Sequence, residues 1–201
     1  RITVEQAILG LITKSANDAA AALAELLGGT EERFAQMMTL RARSLGMSST
    51  VFANASGLPD TRQTTTARDM AVLARRLIAD FPVQYRYFST PSFVWHGKTM
   101  HNHNHLLAGY PGADGLKTGY TQASGYNLIA SAMRGGVRTI GVRNPNYWKP
   151  GRPYLDGVEY TIIPNRSNTR SPPVASIELI NTYLYGDVHA RFPVTGSQAS
   201  T

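Results

Sequence analysis

The sequence predicts an α+β, sandwich-like fold in which a cluster of helices packs against an antiparallel sheet. Two observations carry this. From Thr3 to Phe81 apolar residues recur at helical spacing between capping and stop signals, whereas from Tyr87 onward short strand-like segments alternate with glycine-containing turns. Helices come first and adjacent strands later, which argues for a helical layer on a sheet and against a parallel βαβ repeat. The 201 residues suffice for one domain with its own core, or for one domain and a tail. The text of the chain changes after Val142, so residues 1–142 are expected to form the domain and 143–201 a divergent tail.

Each element has a local reason. Thr3 and Gln6 have the spacing of a capping box, and Ile8, Leu9, Leu11 and Ile12 follow at helical intervals, so a first helix is expected to run to about Thr13. It delivers Ser15 to a short connection. The alanine-rich run from Asp18 to Leu27 predicts a second helix stopped by Gly28-Gly29, with Ser15 and Asn17 held at its amino end. Asn17 as a plain helix cap, with Ser15 a linker, is the structural alternative. Thr30 to Leu45 predicts a third, amphipathic helix with Phe34, Met37, Met38 and Leu45 inward, its glutamates early and its arginines late. A turn-rich stretch from Met47 to Thr65 precedes a fourth helix. That helix begins at Thr66 with Asp69 and buries Met70, Leu73, Leu77 and Ile78.

The strand region is expected to be a meander. Asp114 to Thr121 forms one strand, Tyr126 to Met133 the next, and Arg134-Gly135-Gly136 turns into Val137 to Val142. In the tail, Asn144 to Pro153 breaks any strand, Pro164 to Pro173 is irregular, and Val174 to Tyr185 has the spacing of a final helix.

Composition narrows the function classes. Zero cysteines exclude disulfides and thiol chemistry. The net charge of +7 comes from sixteen arginines and four lysines that are scattered, with no basic block, which weighs against nucleic acid. An acidic cell-wall polymer or an anionic membrane surface suits that balance, including peripheral membrane association of a longer protein. No apolar run approaches the roughly eighteen residues of a membrane span. The histidines at 101, 103 and 105 would share a face if they stood on one strand, and so admit a metal reading. No carboxylate joins them closely, and an asparagine loop at Asn102 and Asn104 is the preferred reading.

Two triplets carry the chemistry. Lys117-Thr118-Gly119 on a strand combines a cation, a hydroxyl and a position where a ligand can lie against the backbone, and Thr121 adds a second hydroxyl. Alone, it reads equally as a polar strand end. Ser15-Ala16-Asn17 precedes it in the order used by the serine enzymes that combine Ser-x-x-Lys, Ser-x-Asn and Lys-Thr-Gly. With Ala42 to Met47, Asn54 to Pro59, Thr66 to Ala71 and Asp114 to Thr121, the chain resembles the D-alanyl-D-alanine carboxypeptidases, the low-molecular-weight penicillin-binding proteins. The resemblance runs from Arg1 to about Val142.

The resemblance implies the fold shared by β-lactamases and D,D-peptidases, with the 47–65 loop bordering the site. It implies an exported, extracytoplasmic bacterial protein that acts on the pentapeptide stem of peptidoglycan, is inhibited by β-lactam antibiotics and needs no metal or organic cofactor. Ser15 and Asn17 would be catalytic, and Lys117, Thr118, Gly119 and Thr121 would bind substrate. One element departs from the pattern: residues Leu11, Trp95, Asp114 and Asn146 stand three before the lysines, so the chain contains no Ser-x-x-Lys. The expectation is a carboxy-terminal piece of a longer enzyme whose nucleophile lies upstream. A β-lactamase-related hydrolase and a noncatalytic cell-wall-peptide binder are the alternatives; a missing Glu-x-x-x-Asn pattern argues against the former.

Overall fold

Four helices precede a small hairpin and a four-stranded antiparallel sheet in a computed structural model that describes residues 1–144 and 154–161. All of these lie within a compact unit spanning Arg1–Arg170. The expected α+β class holds, and the expected helix at 174–185 lies outside the described residues.

The helices start where their caps dictate. In α1 (Val4–Lys14) the Thr3 hydroxyl accepts from the Gln6 amide at 3.2 Å while the Gln6 side chain accepts from the Thr3 amide at 3.0 Å. Thr30 and Thr66 cap α3 (Glu31–Ser44) and α4 (Ala67–Asp80) in the same way, through the amides of Arg33 and Asp69. Between α1 and α3, α2 (Asn17–Gly28) ends at Gly29, whose φ of 81° suits a residue without a Cβ. Asp69 has a second role. Its carboxylate is buried and accepts from the Thr50 hydroxyl at 2.6 Å and the Ser49 amide at 2.9 Å, tying the turn-rich 47–65 stretch to the start of α4.

Alanines take most of the buried helical positions, at 7, 19, 20, 24, 35, 42, 71 and 74. Small side chains let helix axes approach closely, so the larger residues are pushed to the rim of each contact. This corrects the expected inward set of α3. Met37 is 45% exposed, and Phe34, Met38 and Leu45 are only half-buried. With Met47 and Phe52 they line an apolar cavity of about 310 Å³ instead of filling a core. The same holds in α4, where Ala71 and Ala74 are buried while Met70, Leu73, Leu77 and Ile78 are half-buried.

A 3-10 helix (Gln84–Ser89) leads to the β1 (Ser92–Trp95) and β2 (Lys98–His101) hairpin, closed by His96 and Gly97, both at positive φ. Because β2 ends at His101, the histidines at 103 and 105 do not share its face, and among the described residues no three potential ligands form a metal cluster. A one-turn helix, α5 (Leu106–Gly109), precedes the sheet. Its strands β3 (Ala113–Thr121), β4 (Gly125–Arg134), β5 (Val137–Asn144) and β6 (Tyr154–Thr161) pair in sequence order. Beyond Val142, β5 runs on to Asn144, and Tyr154–Thr161 pairs antiparallel to it. α4 packs on β5 and the 3-10 helix on β3, and Ala74, Tyr85, Leu116 and Ile140 form the core between them. Among the described residues no helix is long and apolar enough to cross a membrane.

Candidate functional site

Ser15 is positioned by the way α1 stops. It caps the helix in the left-handed conformation, φ 57° and ψ 46°, with its amide donating to the Leu11 carbonyl at 3.1 Å and the Ala16 amide to that of Gly10 at 3.3 Å. A non-glycine residue in this region costs on the order of 1–2 kcal/mol. The strain is local and the turn is tight, so the hydroxyl is aimed by covalent geometry and not by a flexible loop.

Lys117 approaches from β3. Its ammonium donates to the Ser15 hydroxyl and, at 2.7 Å, to the Thr118 carbonyl. Partial burial strips water from the ammonium and lowers its pKa below the ordinary lysine value. His103 stands nearby, its pKa lowered first by burial and then by the charges of Lys117, Lys14 and His105. The imidazole is thus biased toward its neutral form, and the surroundings of Lys117 are cationic. A small, half-dry positive site of this kind favours a carboxylate.

The strand bearing Lys117 is anchored from behind. Asp114 receives Arg138 Nη1 at 2.8 and 3.0 Å on its two oxygens, and the Ser131 hydroxyl donates to it at 2.6 Å. The Tyr85 hydroxyl in turn hydrogen-bonds Ser131, and the Arg138 guanidinium lies 5.5 Å from the Tyr85 ring centroid. Burial, foremost, raises the Tyr85 pKa, so the phenol stays protonated and can serve as a donor. Tyr85 also fills the space behind Gly115, where a Cβ would lie 2.5 Å from its hydroxyl oxygen. From the other side Asn104, almost fully buried, donates to the Gly115 carbonyl at 3.1 Å and is itself held by the Asn102 side chain, which accepts from its amide at 2.9 Å. The asparagine loop is therefore structural, as read from sequence.

The geometry brings Ser15, Lys117 and Thr118 together across 102 residues of chain. Gly119 is exposed, and nothing lies within 4 Å of the place its Cβ would occupy, so the backbone there is open to close approach. Two expected members stand apart. Asn17 is exposed in the first turn of α2 and does not hydrogen-bond Lys117; the N-cap position is Ala16. The Thr121 hydroxyl is engaged in the β3–β4 turn, accepting from the Ser124 amide at 3.0 Å and pairing with its hydroxyl at 2.6 Å. Sequence reasoning missed the Tyr85–Ser131–Asp114–Arg138 network and the place of His103. The signal for the network in the sequence was slight: Ser131 stands as a polar residue within the apolar run Leu128–Ala132 of β4.

A family model described as D-alanyl-D-alanine carboxypeptidase matches residues 1–143. The chain is 41% identical over 143 residues to the D-alanyl-D-alanine carboxypeptidase DacD of Escherichia coli, covering 71% of this chain and 37% of that protein. The chain thus spans about a third of the length of DacD and DacC of Escherichia coli and of DacF of Bacillus subtilis. Among solved structures it is similar to the carboxypeptidase DacD from Francisella tularensis, with a TM-score of 0.68 and 32% identity over 69% of this chain and 46% of that one. Penicillin-binding protein D2 from Listeria monocytogenes, solved in its ampicillin-bound form, gives a TM-score of 0.64 and 38% identity, covering 70% and 58% of the two chains.

Proposed function

Because this chain belongs to the D-alanyl-D-alanine carboxypeptidase family, we propose that its Ser15–Lys117–Thr118 site recognises the D-alanyl-D-alanine end of peptidoglycan stem peptides. The observation that carries this reading is the contact between the Lys117 ammonium and the Ser15 hydroxyl, with an open strand edge at Gly119 beside them. Lys117 and Thr118 hold the terminal carboxylate. Gly119 lets the peptide lie against the strand, and a backbone N–H beyond Thr118 meets the carbonyl oxygen as it gains negative charge.

The reaction is a serine-type carboxypeptidase cycle. A serine alkoxide, formed with help from a lysine, attacks the carbonyl of the penultimate D-alanine; the amide bond breaks, free D-alanine leaves with a proton on its amine, and water hydrolyses the ester. The 201 residues contain no Ser-x-x-Lys to perform the attack. What they contribute is recognition and proton handling. Ser15 relays the proton to the leaving amine through its bond with Lys117, and Asn17 donates to the substrate amide from the first turn of α2. A penicillin carboxylate occupies the place of the peptide carboxylate, which makes β-lactams inhibitors. Peptidoglycan sets the place of action outside the cytoplasmic membrane, where a net charge of +7 favours the anionic wall and peripheral contact with anionic lipid.

The test is equilibrium binding of N-acetyl-D-alanyl-D-alanine to the chain and to Lys117→Ala, followed by ligand-observed NMR. A charge-assisted contact of about 1.5–3 kcal/mol predicts a loss of about tenfold or more. Equal binding by the two proteins would refute the assignment. In a longer protein that supplies a Ser-x-x-Lys, the intact mass after benzylpenicillin separates a covalent enzyme, which gains an adduct, from one that binds cell-wall peptide without cutting it.

A further inference from the structure

His103 is held out between two asparagines that are tied down. On one side the Asn102 side chain donates to the Thr90 carbonyl at 3.0 Å, and the Asn102 amide donates to that of Pro91 at 2.8 Å. On the other, Asn104 is 3% exposed, donates to the Gly115 carbonyl at 3.1 Å and accepts from the Leu106 amide at 3.2 Å. Bonds on both sides fix the segment that presents the residue between them. His103 itself is exposed, and among the described residues its ring makes no hydrogen bond.

The loop carries this imidazole to the edge of the Ser15 and Lys117 site. Gly115, to which Asn104 is bonded, lies two residues before Lys117 on β3. Partial desolvation, foremost, and then the charges of Lys117, Lys14 and His105 hold the His103 pKa below the ordinary histidine value. Lys117 acts from β3, Lys14 from the last turn of α1 and His105 from the same loop. Lys14 is also the residue before Ser15, which Lys117 contacts. Three segments far apart in sequence thus bring one sign of charge to one place. The proposed cycle leaves the imidazole unused.

We infer that His103 is a second anchor for the carboxylate of an anionic ligand, engaged when the ring takes up a proton, so that the site grips such ligands more firmly in mildly acidic solution. The inference rests on the proposed role of Lys117 as the first anchor. Before a ligand arrives, a further cation beside Lys117 and Lys14 is repelled, and the ring stays neutral near pH 7. A carboxylate seated on Lys117 cancels part of that repulsion and offers the ring an ion pair. Binding therefore strengthens the hold of His103 on its proton, and by reciprocity the proton strengthens the hold on the carboxylate. The ligand carboxyl ionises at roughly pH 3.5 and keeps its charge across the histidine range. Affinity is flat above the pKa that His103 has in the complex, climbs as the pH falls through it, and levels off below the pKa of the free chain.

The experiment titrates N-acetyl-D-alanyl-D-alanine into the chain at about pH 8 and about pH 5.5, on either side of the ordinary histidine pKa, by ligand-observed NMR. The quantity read is the ratio of the two Kd values within one protein, so that a general loss of affinity cancels. Because the ring is exposed, the gain is that of a hydrated ion pair, and binding should be about two- to fivefold tighter at the lower pH. His103→Gln should bring the ratio close to one, and so should His103→Arg, which is charged at both pH values. The His103 ring protons, assigned by their loss in His103→Gln, should titrate at higher pH when the peptide is bound. A ratio near one in the unaltered chain, or a pH dependence that survives His103→Gln, overturns the second anchor while leaving the first standing. If the peptide binds at neither pH at millimolar concentration, the role of Lys117 falls and that of His103 with it.

Discussion

The two halves of β3 differ sharply in what surrounds them. In the first half Asp114 is locked to Arg138 and Ser131, Gly115 is roofed by Tyr85 and held by Asn104, and Leu116 is 3% exposed. In the second half Gly119 meets nothing and Tyr120 faces solvent. Lys117 sits at the junction. One strand thus joins a clamped segment, which fixes where the ammonium points, to an open one along which a ligand can lie. Rigidity behind the site and access in front of it are supplied by consecutive residues.

The contrast can be broken from the clamped side first. Arg138→Ala leaves the Asp114 carboxylate without its cation in a partly buried place, and an expected loss of about 3 kcal/mol in a urea melt follows from the cost of orphaning one partner of a buried pair. A loss below about 1 kcal/mol would mean that the network is no clamp. The two glycines sharpen the point with a single methyl group. At Gly115 a Cβ would meet the Tyr85 hydroxyl oxygen at 2.5 Å and Phe88 Cβ at 3.2 Å, so Gly115→Ala should cost about 1–3 kcal/mol. At Gly119 the same methyl meets nothing, and Gly119→Ala should change stability by no more than about 0.5 kcal/mol. Equal effects at the two positions would erase the distinction between the halves.

The smallest effect is a slope with pH. Burial lowers the Lys117 pKa, so over the range between its folded value and the ordinary 10.5 the unfolded chain binds more protons. Stability should therefore rise with pH across that window, the cost of the buried charge being fully present below it. Lys117→Met should remove this contribution, and the difference in urea midpoint between the two proteins, followed from neutral pH upward, reads it free of other titrating groups. A difference that stays flat would show that the ammonium is hydrated.

How much of this could be read from sequence depended on whether the deciding interaction was local. The capping box of Thr3 and Gln6, the stop at Gly28-Gly29 and the Arg134-Gly135-Gly136 turn are encoded within a few residues, and each appears where the pattern placed it. The meeting of Ser15 with Lys117 was legible only as two motifs in order, which name the partners without giving the contact. Burial in α3 was misread because periodicity marks the apolar face and not its depth; alanines at the point of closest approach leave Met37 at the rim. The same reasoning could not see that the Thr121 hydroxyl would be drawn into the hairpin turn by Ser124, or that Asn17 would open α2 with its side chain in solvent. Tyr85 and Arg138 are 53 positions apart in sequence and meet only once the sheet exists.

The left-handed turn at Ser15 constrains what mutation can do at that position. Glycine and asparagine would relax the backbone, and neither carries a hydroxyl. Threonine would keep the hydroxyl, but its branched Cβ fits φ 57° worse than serine does. No replacement preserves both the turn and the group it presents. A lineage under pressure to tolerate heat would find easy gains at this codon, each at the expense of the contact with Lys117, and a lineage that keeps serine there forgoes those gains in every generation.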